Sequence, residues 1–107
     1  FVGQVGTDMK GREAFQEIDY RAVFGTVAKW AVEIDDVARL PEIVARAWTT
    51  ALTGRPGPVV VALPEDMLTS EVEAPQALPH TPVETRPGEA ELDALEMLLS
   101  SAERPFV

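Results

Sequence analysis

Cysteine is absent from the 107 residues, and histidine occurs once, at His80. The first absence excludes a disulfide frame, a thiolate metal site and a cysteine nucleophile. The second leaves any serine or threonine without an imidazole base in ordered sequence, because His80 stands in a proline-rich stretch. That lone imidazole has no second ligand nearby, so a metal role for it is not expected. Basic side chains are also scarce: nine against eighteen acidic ones, a net charge of −9. No basic stripe exists to neutralise phosphates, which argues against nucleic acid or an anionic membrane as partner. Apolar runs fall far short of a bilayer span and no signal-peptide pattern opens the chain, so a soluble, cytoplasmic protein is expected. What remains is a globular composition, 46% hydrophobic and 25% charged, in one ordinary domain's length of chain.

The most informative stretch is residues 40–66, LPEIVARAWTTALTGRPGPVVVALPED. Pro41 suits a first helical turn, where its missing N–H costs nothing. Leu40, Ile43, Val44, Ala47, Trp48, Ala51 and Leu52 recur at the spacing of one helical face, which predicts a helix over residues 41–53. Gly54 stands where a left-handed cap is wanted, and the two prolines of residues 54–58 prevent the helix from continuing. Val59 to Leu63 is an unbroken apolar run closed by Pro64. A strand without polar alternation is covered on both faces, as in parallel sheets flanked by helices. The expected fold class is therefore α/β.

Around this unit, residues 1–5 have the character of a strand's end, and the glycines and polar residues of 6–12 that of a loop. Asp19 is placed to cap a short helix over residues 20–28, with Val23, Phe24 and Val27 on its inner face. Residues 30–34 alternate like a strand, and Asp35-Asp36 makes the turn into the long helix. Both tryptophans, Trp30 and Trp48, sit on apolar faces and are read as core. Residues 69–88 hold four prolines (Pro75, Pro79, Pro82 and Pro87) and no periodicity, which suits a linker between domains. Residues 89–102 are amphipathic again, with Leu92, Leu95, Leu99 and Ala102 on one face and Glu89, Glu91 and Asp93 favouring the helix N-terminus. Arg104-Pro105 ends this helix and Phe106-Val107 opens a further element. A start at Phe1 and a stop in strand-like sequence suggest a piece of something longer.

Few residues promise chemistry. Residues 54–58 are glycine-rich, but two prolines deprive them of the consecutive N–H donors that a phosphate cradle needs, so a rigid helix-to-strand corner is expected. Asp8, Glu13, Glu17 and Asp19 include a general acid or base only if burial or a neighbouring charge moves a pKa; capping and surface roles are the simpler reading. Phe15-Gln16 differs, because an aromatic beside a neutral amide in an irregular stretch is a common way to meet a ligand at a sheet's rim.

Three blocks carry a resemblance: GQVGTDMKGREAFQEIDY (residues 3–20), Lys29, and GRPGPVVVALPEDM (residues 54–67). They resemble the thiamine-diphosphate-dependent enzymes of the acetolactate synthase and decarboxylase superfamily, and residues 92–107 are similar to the opening helix of that family's central domain. The resemblance implies a partial three-layer, Rossmann-like parallel sheet. Residues 1–68 would be the C-terminal half of the N-terminal, pyrimidine-binding domain. Residues 69–88 would be a linker and residues 89–107 the start of the central domain. It further implies carbon–carbon bond chemistry on 2-oxo acids with thiamine diphosphate and Mg²⁺, leaves FAD open as an addition, and places the active site between subunits of a homodimer or homotetramer. Phe15 and Gln16 match the pair that points toward the reacting carbons. The cofactor-activating glutamate is expected upstream of Phe1 and the metal motif beyond Val107, so no catalytic or metal-binding residue is expected in this chain, and the segment alone should be inactive. One position departs: acetolactate synthases typically carry lysine between the Pro and Asp that close the strand, and here it is Glu65, which favours a broader decarboxylase or carboligase reading. A stand-alone, non-catalytic α/β binding or oligomerisation module is the alternative.

Overall fold

The computed structural model describes residues 1–75 and 80–106. Three strands and three helices alternate along the chain: β1 (Val2–Gln4), α1 (Tyr20–Phe24), β2 (Trp30–Glu33), α2 (Leu40–Leu52), β3 (Val59–Pro64) and α3 (Glu89–Ser101). Single 3-10 turns follow β1 (Thr7–Met9), precede α2 (Val37–Arg39) and follow β3 (Glu65–Thr69). The strand order is β1-β3-β2 and both pairings are parallel, with Val2 opposite Ala62 and Trp30 opposite Val59. Parallel neighbours require a crossover, and α2 provides it between β2 and β3. β3 lies in the middle of the sheet with both α1 and α2 packed against it, and a strand covered on its faces reads as an unbroken apolar run. The α/β expectation therefore holds.

The core is small and lies between α2 and the sheet. Val32, Ile34, Ile43, Ala47 and Val61 are buried together, with Trp30, Leu40, Val59, Leu63 and Met67 packed against them. Strand alternation sends Val59, Val61 and Leu63 toward this core, and Val60, Ala62 and Pro64 to the opposite face. Ala62 is fully buried there, and α1 also packs against β2 and β3.

Local chemistry sets the joints. Asp36 Oδ1 accepts from Ala38 N–H at 2.9 Å and starts the turn that leads into α2, whose first turn contains Pro41. At the other end, Thr53 N–H closes on Thr49 O at 2.9 Å and Gly54 turns away at φ +63°. The corner that follows is pinned by Gly57 N–H to Ala51 O (3.0 Å), Lys29 N–H to Pro58 O (2.8 Å) and Lys29 Nζ to Thr53 O (2.6 Å). It is a structural corner.

The structure corrects two sequence expectations. Trp48 is 64% exposed rather than core, whereas Trp30 packs at the core edge with the Arg46 guanidinium 4.5 Å from its ring. The seven apolar positions of α2 cover a wider arc than the sheet covers. Ile43 and Ala47 take its centre, Leu40, Val44, Ala51 and Leu52 are half-buried, and Trp48 falls outside. The second correction is α1, which stops at Phe24 instead of reaching residue 28. Gly25-Thr26 is a weak helical pair, and the N–H groups of Val27 and Ala28 both converge on Phe24 O (3.0 and 2.8 Å). Val23 and Val27 are consequently exposed, and Phe24 stacks on Tyr20 with ring centroids 6.1 Å apart.

Beyond β3, residues 71–75 and 80–88 carry no regular element. His80 Nδ1 lies 3.5 Å from the Thr49 hydroxyl on α2. No residue of α3 is buried. Pro79 of the expected linker and Val107 of the expected next element lie outside the described residues. Among the described residues, no helix is long and apolar enough to cross a membrane.

Candidate functional site

All three strands deliver their carboxyl ends to one edge, the place where open parallel sheets bind ligands. The loop between β1 and α1, residues 5–19, folds across that edge, and two clefts open against it. The larger, about 820 Å³, is walled by Gln4, Met9, Phe15, Gln16, Leu63, Glu65 and Leu68 among others. Phe15 and Gln16 thus share one cleft wall. Phe15 is 89% exposed, so little of its ring is spent on packing within this chain. Gln16 holds φ +70°, a conformation that non-glycine residues rarely adopt. Among the described residues, Glu65 is the one charged side chain on this wall.

The smaller cleft, about 390 Å³, contains the polar link that joins the loop to the sheet. Gln4 is the one buried polar side chain among the described residues, and its amide is fully employed. Its Nε2 donates to Ile18 O at 2.7 Å and to Glu33 Oε2 at 3.1 Å, while its Oε1 accepts from Val5 N–H at 3.0 Å. Lys10 Nζ meets the other Glu33 oxygen at 2.6 Å. Across the edge, Asp66 accepts from Thr7 Oγ1 at 2.6 Å and from Thr7 N–H at 2.9 Å. These two bonds, the hydroxyl foremost, hold its carboxyl below the ordinary carboxylate range. The loop after β1 is therefore tied to the carboxyl ends of the other two strands.

The four acids weighed from the sequence take structural parts or none. Asp19 caps α1, accepting from Arg21 and Ala22 N–H at 3.0 Å. Glu17 accepts from Gly11 and Ala14 N–H, and chiefly the Gly11 bond lowers its pKa. A carboxyl pushed in that direction stays ionised near neutrality and is unsuited to act as a general acid there. Asp8 and Glu13 have no side-chain hydrogen bond or ion pair among the described residues. No group of three or more histidine, aspartate or glutamate side chains that could hold a metal ion occurs among the described residues.

No family model matches the chain. Individual proteins do. The acetolactate synthase large subunit of Lactococcus lactis is 36% identical over 111 residues, covering 100% of this chain and 19% of that protein. The large subunit of Corynebacterium glutamicum is 35% identical over 98% of this chain and 17% of its own length. The mitochondrial catalytic subunit of Saccharomyces cerevisiae is 36% identical over 100% of this chain and 14% of its length. The chain belongs to the acetolactate synthase family.

Within that family the chain spans only 14–19% of the length of these curated relatives. The yeast relative is mitochondrial by its name, so one compartment is not common to the relatives. Sequence reasoning missed four members of the site edge: Gln4, Thr7, Lys10 and Glu33. A signal was available in principle for Gln4 and Glu33, which close the short strands β1 and β2, whereas Thr7 and Lys10 lie in the loop beyond β1. The pairing of Gln4 with Glu33 was not available, because they are 29 residues apart and meet only through the strand order.

Proposed function

We propose that the full-length protein is a thiamine-diphosphate- and Mg²⁺-dependent enzyme that decarboxylates or joins 2-oxo acids, and that this segment forms one wall of its active site. The observation that carries the reading is the placing of Phe15 and Gln16 on one cleft wall at the carboxyl edge of the sheet, in a chain that aligns along its whole length with an acetolactate synthase. The donor set fits part of the cofactor. Met9, Phe15, Leu63 and Leu68 offer an apolar surface for a flat heterocycle, and the Gln16 amide offers one donor and one acceptor. Among the described residues, no lysine or arginine lines this cleft. On this reading the diphosphate and its metal ion rest on residues other than these.

When bound, the cofactor supplies the electron sink for breaking or making the bond next to the substrate carbonyl. The residues present here have positional tasks. Phe15 excludes water from the cleft, and Gln16 orients a polar group of the substrate or cofactor by hydrogen bonding. Glu65 puts a negative group on this wall, so a substrate carboxylate is held from another side. The two-subunit site implied by the family makes a homodimer or homotetramer the working form, and the absorbance spectrum of the purified protein reads whether FAD accompanies it. Gln16→Ala in the full-length protein should lower kcat roughly tenfold, the scale of one hydrogen bond made in the transition state. Unchanged kcat and KM would remove Gln16 from the site and with it the reading of this wall.

A further inference from the structure

The loop that carries Phe15 and Gln16 has an unusual internal support. Residues 11–17 belong to no sheet ladder or helix, and three of them hold positive φ: Gly11 at +76°, Glu13 at +55° and Gln16 at +70°. Two of those are not glycine, and such residues keep that conformation only where their surroundings over-determine it. Packing does not do so, since Phe15 is 89% exposed and Glu13 and Gln16 are exposed too. One carboxylate spans the stretch. Glu17 Oε1 accepts from Gly11 N–H at 2.5 Å and Oε2 accepts from Ala14 N–H at 3.2 Å. The loop then closes with Glu17 N–H donating to Ala14 O at 3.0 Å. Both carboxylate oxygens are engaged, one on each side of the strained Glu13, and Gln16 is the residue next to the clamp.

We propose that Glu17 is a positioning residue whose ionised carboxylate clamps the Gly11 and Ala14 amides and thereby sets the backbone from which Phe15 and Gln16 face the cleft. It touches neither substrate nor cofactor. Charge-assisted bonds from backbone N–H to carboxylate are the stronger kind, and an amide in place of the carboxylate offers a single, neutral acceptor. The role rests on the reading of Phe15-Gln16 as site residues, so the test separates the two.

Glu17→Gln and Gln16→Ala are compared in the full-length protein by residue-resolved hydrogen exchange and by steady-state kinetics. Glu17→Gln should speed exchange at Gly11 about tenfold, the worth of one charge-assisted bond. It should also accelerate Ala14 and lower kcat about as far as Gln16→Ala does, with the far-UV spectrum unchanged and KM altered less than kcat. Exchange at Gly11 and Ala14 that does not respond to Glu17→Gln would overturn the clamp. Faster exchange with kcat and KM intact, in an enzyme that Gln16→Ala impairs, would overturn the positioning role. Should Gln16→Ala itself leave kcat unchanged, the reading of the cleft falls, whereas the exchange rates still decide whether Glu17 orders the loop.

Discussion

Replacing Ile43 with alanine should cost far more stability than replacing the larger Trp48 on the same helix. Ile43 is 4% exposed and lies in a buried cluster with Val32, Ile34, Ala47 and Val61. The substitution removes three carbon groups, each worth about 0.8 kcal/mol of transfer free energy. A cavity term follows, because backbone hydrogen bonding keeps the parallel strands from collapsing onto so small a space. The total is about 3 kcal/mol, inside the usual 2–5 kcal/mol for such truncations. Trp48 is 64% exposed, and alanine is the better helix former by about 0.5 kcal/mol, so Trp48→Ala should cost less than about 1 kcal/mol. Urea titrations of each variant, followed by circular dichroism at a helix wavelength, give the two midpoints. Equal costs, or a larger cost at Trp48, would refute the orientation of α2 described above and the one-sided core built on it.

Two further predictions concern the corner and the site edge. Gly54 holds φ +63° with open space where a Cβ would stand, so Gly54→Ala should destabilise by about 1 kcal/mol through backbone strain alone, and a thermal melt at parity with the parent chain would contradict it. Asp66 is held below its ordinary 3.8 by Thr7. Its contribution is therefore complete above that value and is lost as pH falls through the lowered one. An NMR titration should show the Thr7 amide shifting with a midpoint below 3.8, and Thr7→Val should move the midpoint upward; a midpoint unmoved by Thr7→Val would contradict the bond.

The scaffold was legible wherever a local signal coincided with the tertiary demand. Pro41, the three-and-four spacing, Gly54 and the Val59–Leu63 run each state their role within a few residues, and the structure places α2 and β3 there. Where sequence reasoning failed, the deciding partner was distant. Trp48 stands one turn from Val44 on the apolar arc of α2, but whether anything covers it depends on the breadth of the sheet rather than on α2. Helix α1 was drawn too long because Val27 extends the apolar spacing, whereas Gly25-Thr26 ends the helix first. The site shows the same division. Phe15 and Gln16 were picked out by residue type and irregular setting, and they do share a cleft wall. Their supports are not legible in the same way: a capping or surface role is the simpler sequence reading of Glu17, but nothing local names the Gly11 and Ala14 amides it takes, and the Thr7–Asp66 pair spans 59 residues. Glu65, noted as a charge reversal, does lie on the cleft wall.

A segment that walls the active site of a thiamine-diphosphate enzyme, as proposed, is tested most directly by carbon dioxide release from pyruvate by the full-length protein. Measured with and without added thiamine diphosphate and Mg²⁺ after exhaustive dialysis against chelator, release should depend on both additions and fall roughly tenfold in Gln16→Ala. Turnover that ignores the cofactor, or a protein that binds it and processes no 2-oxo acid, would contradict the account.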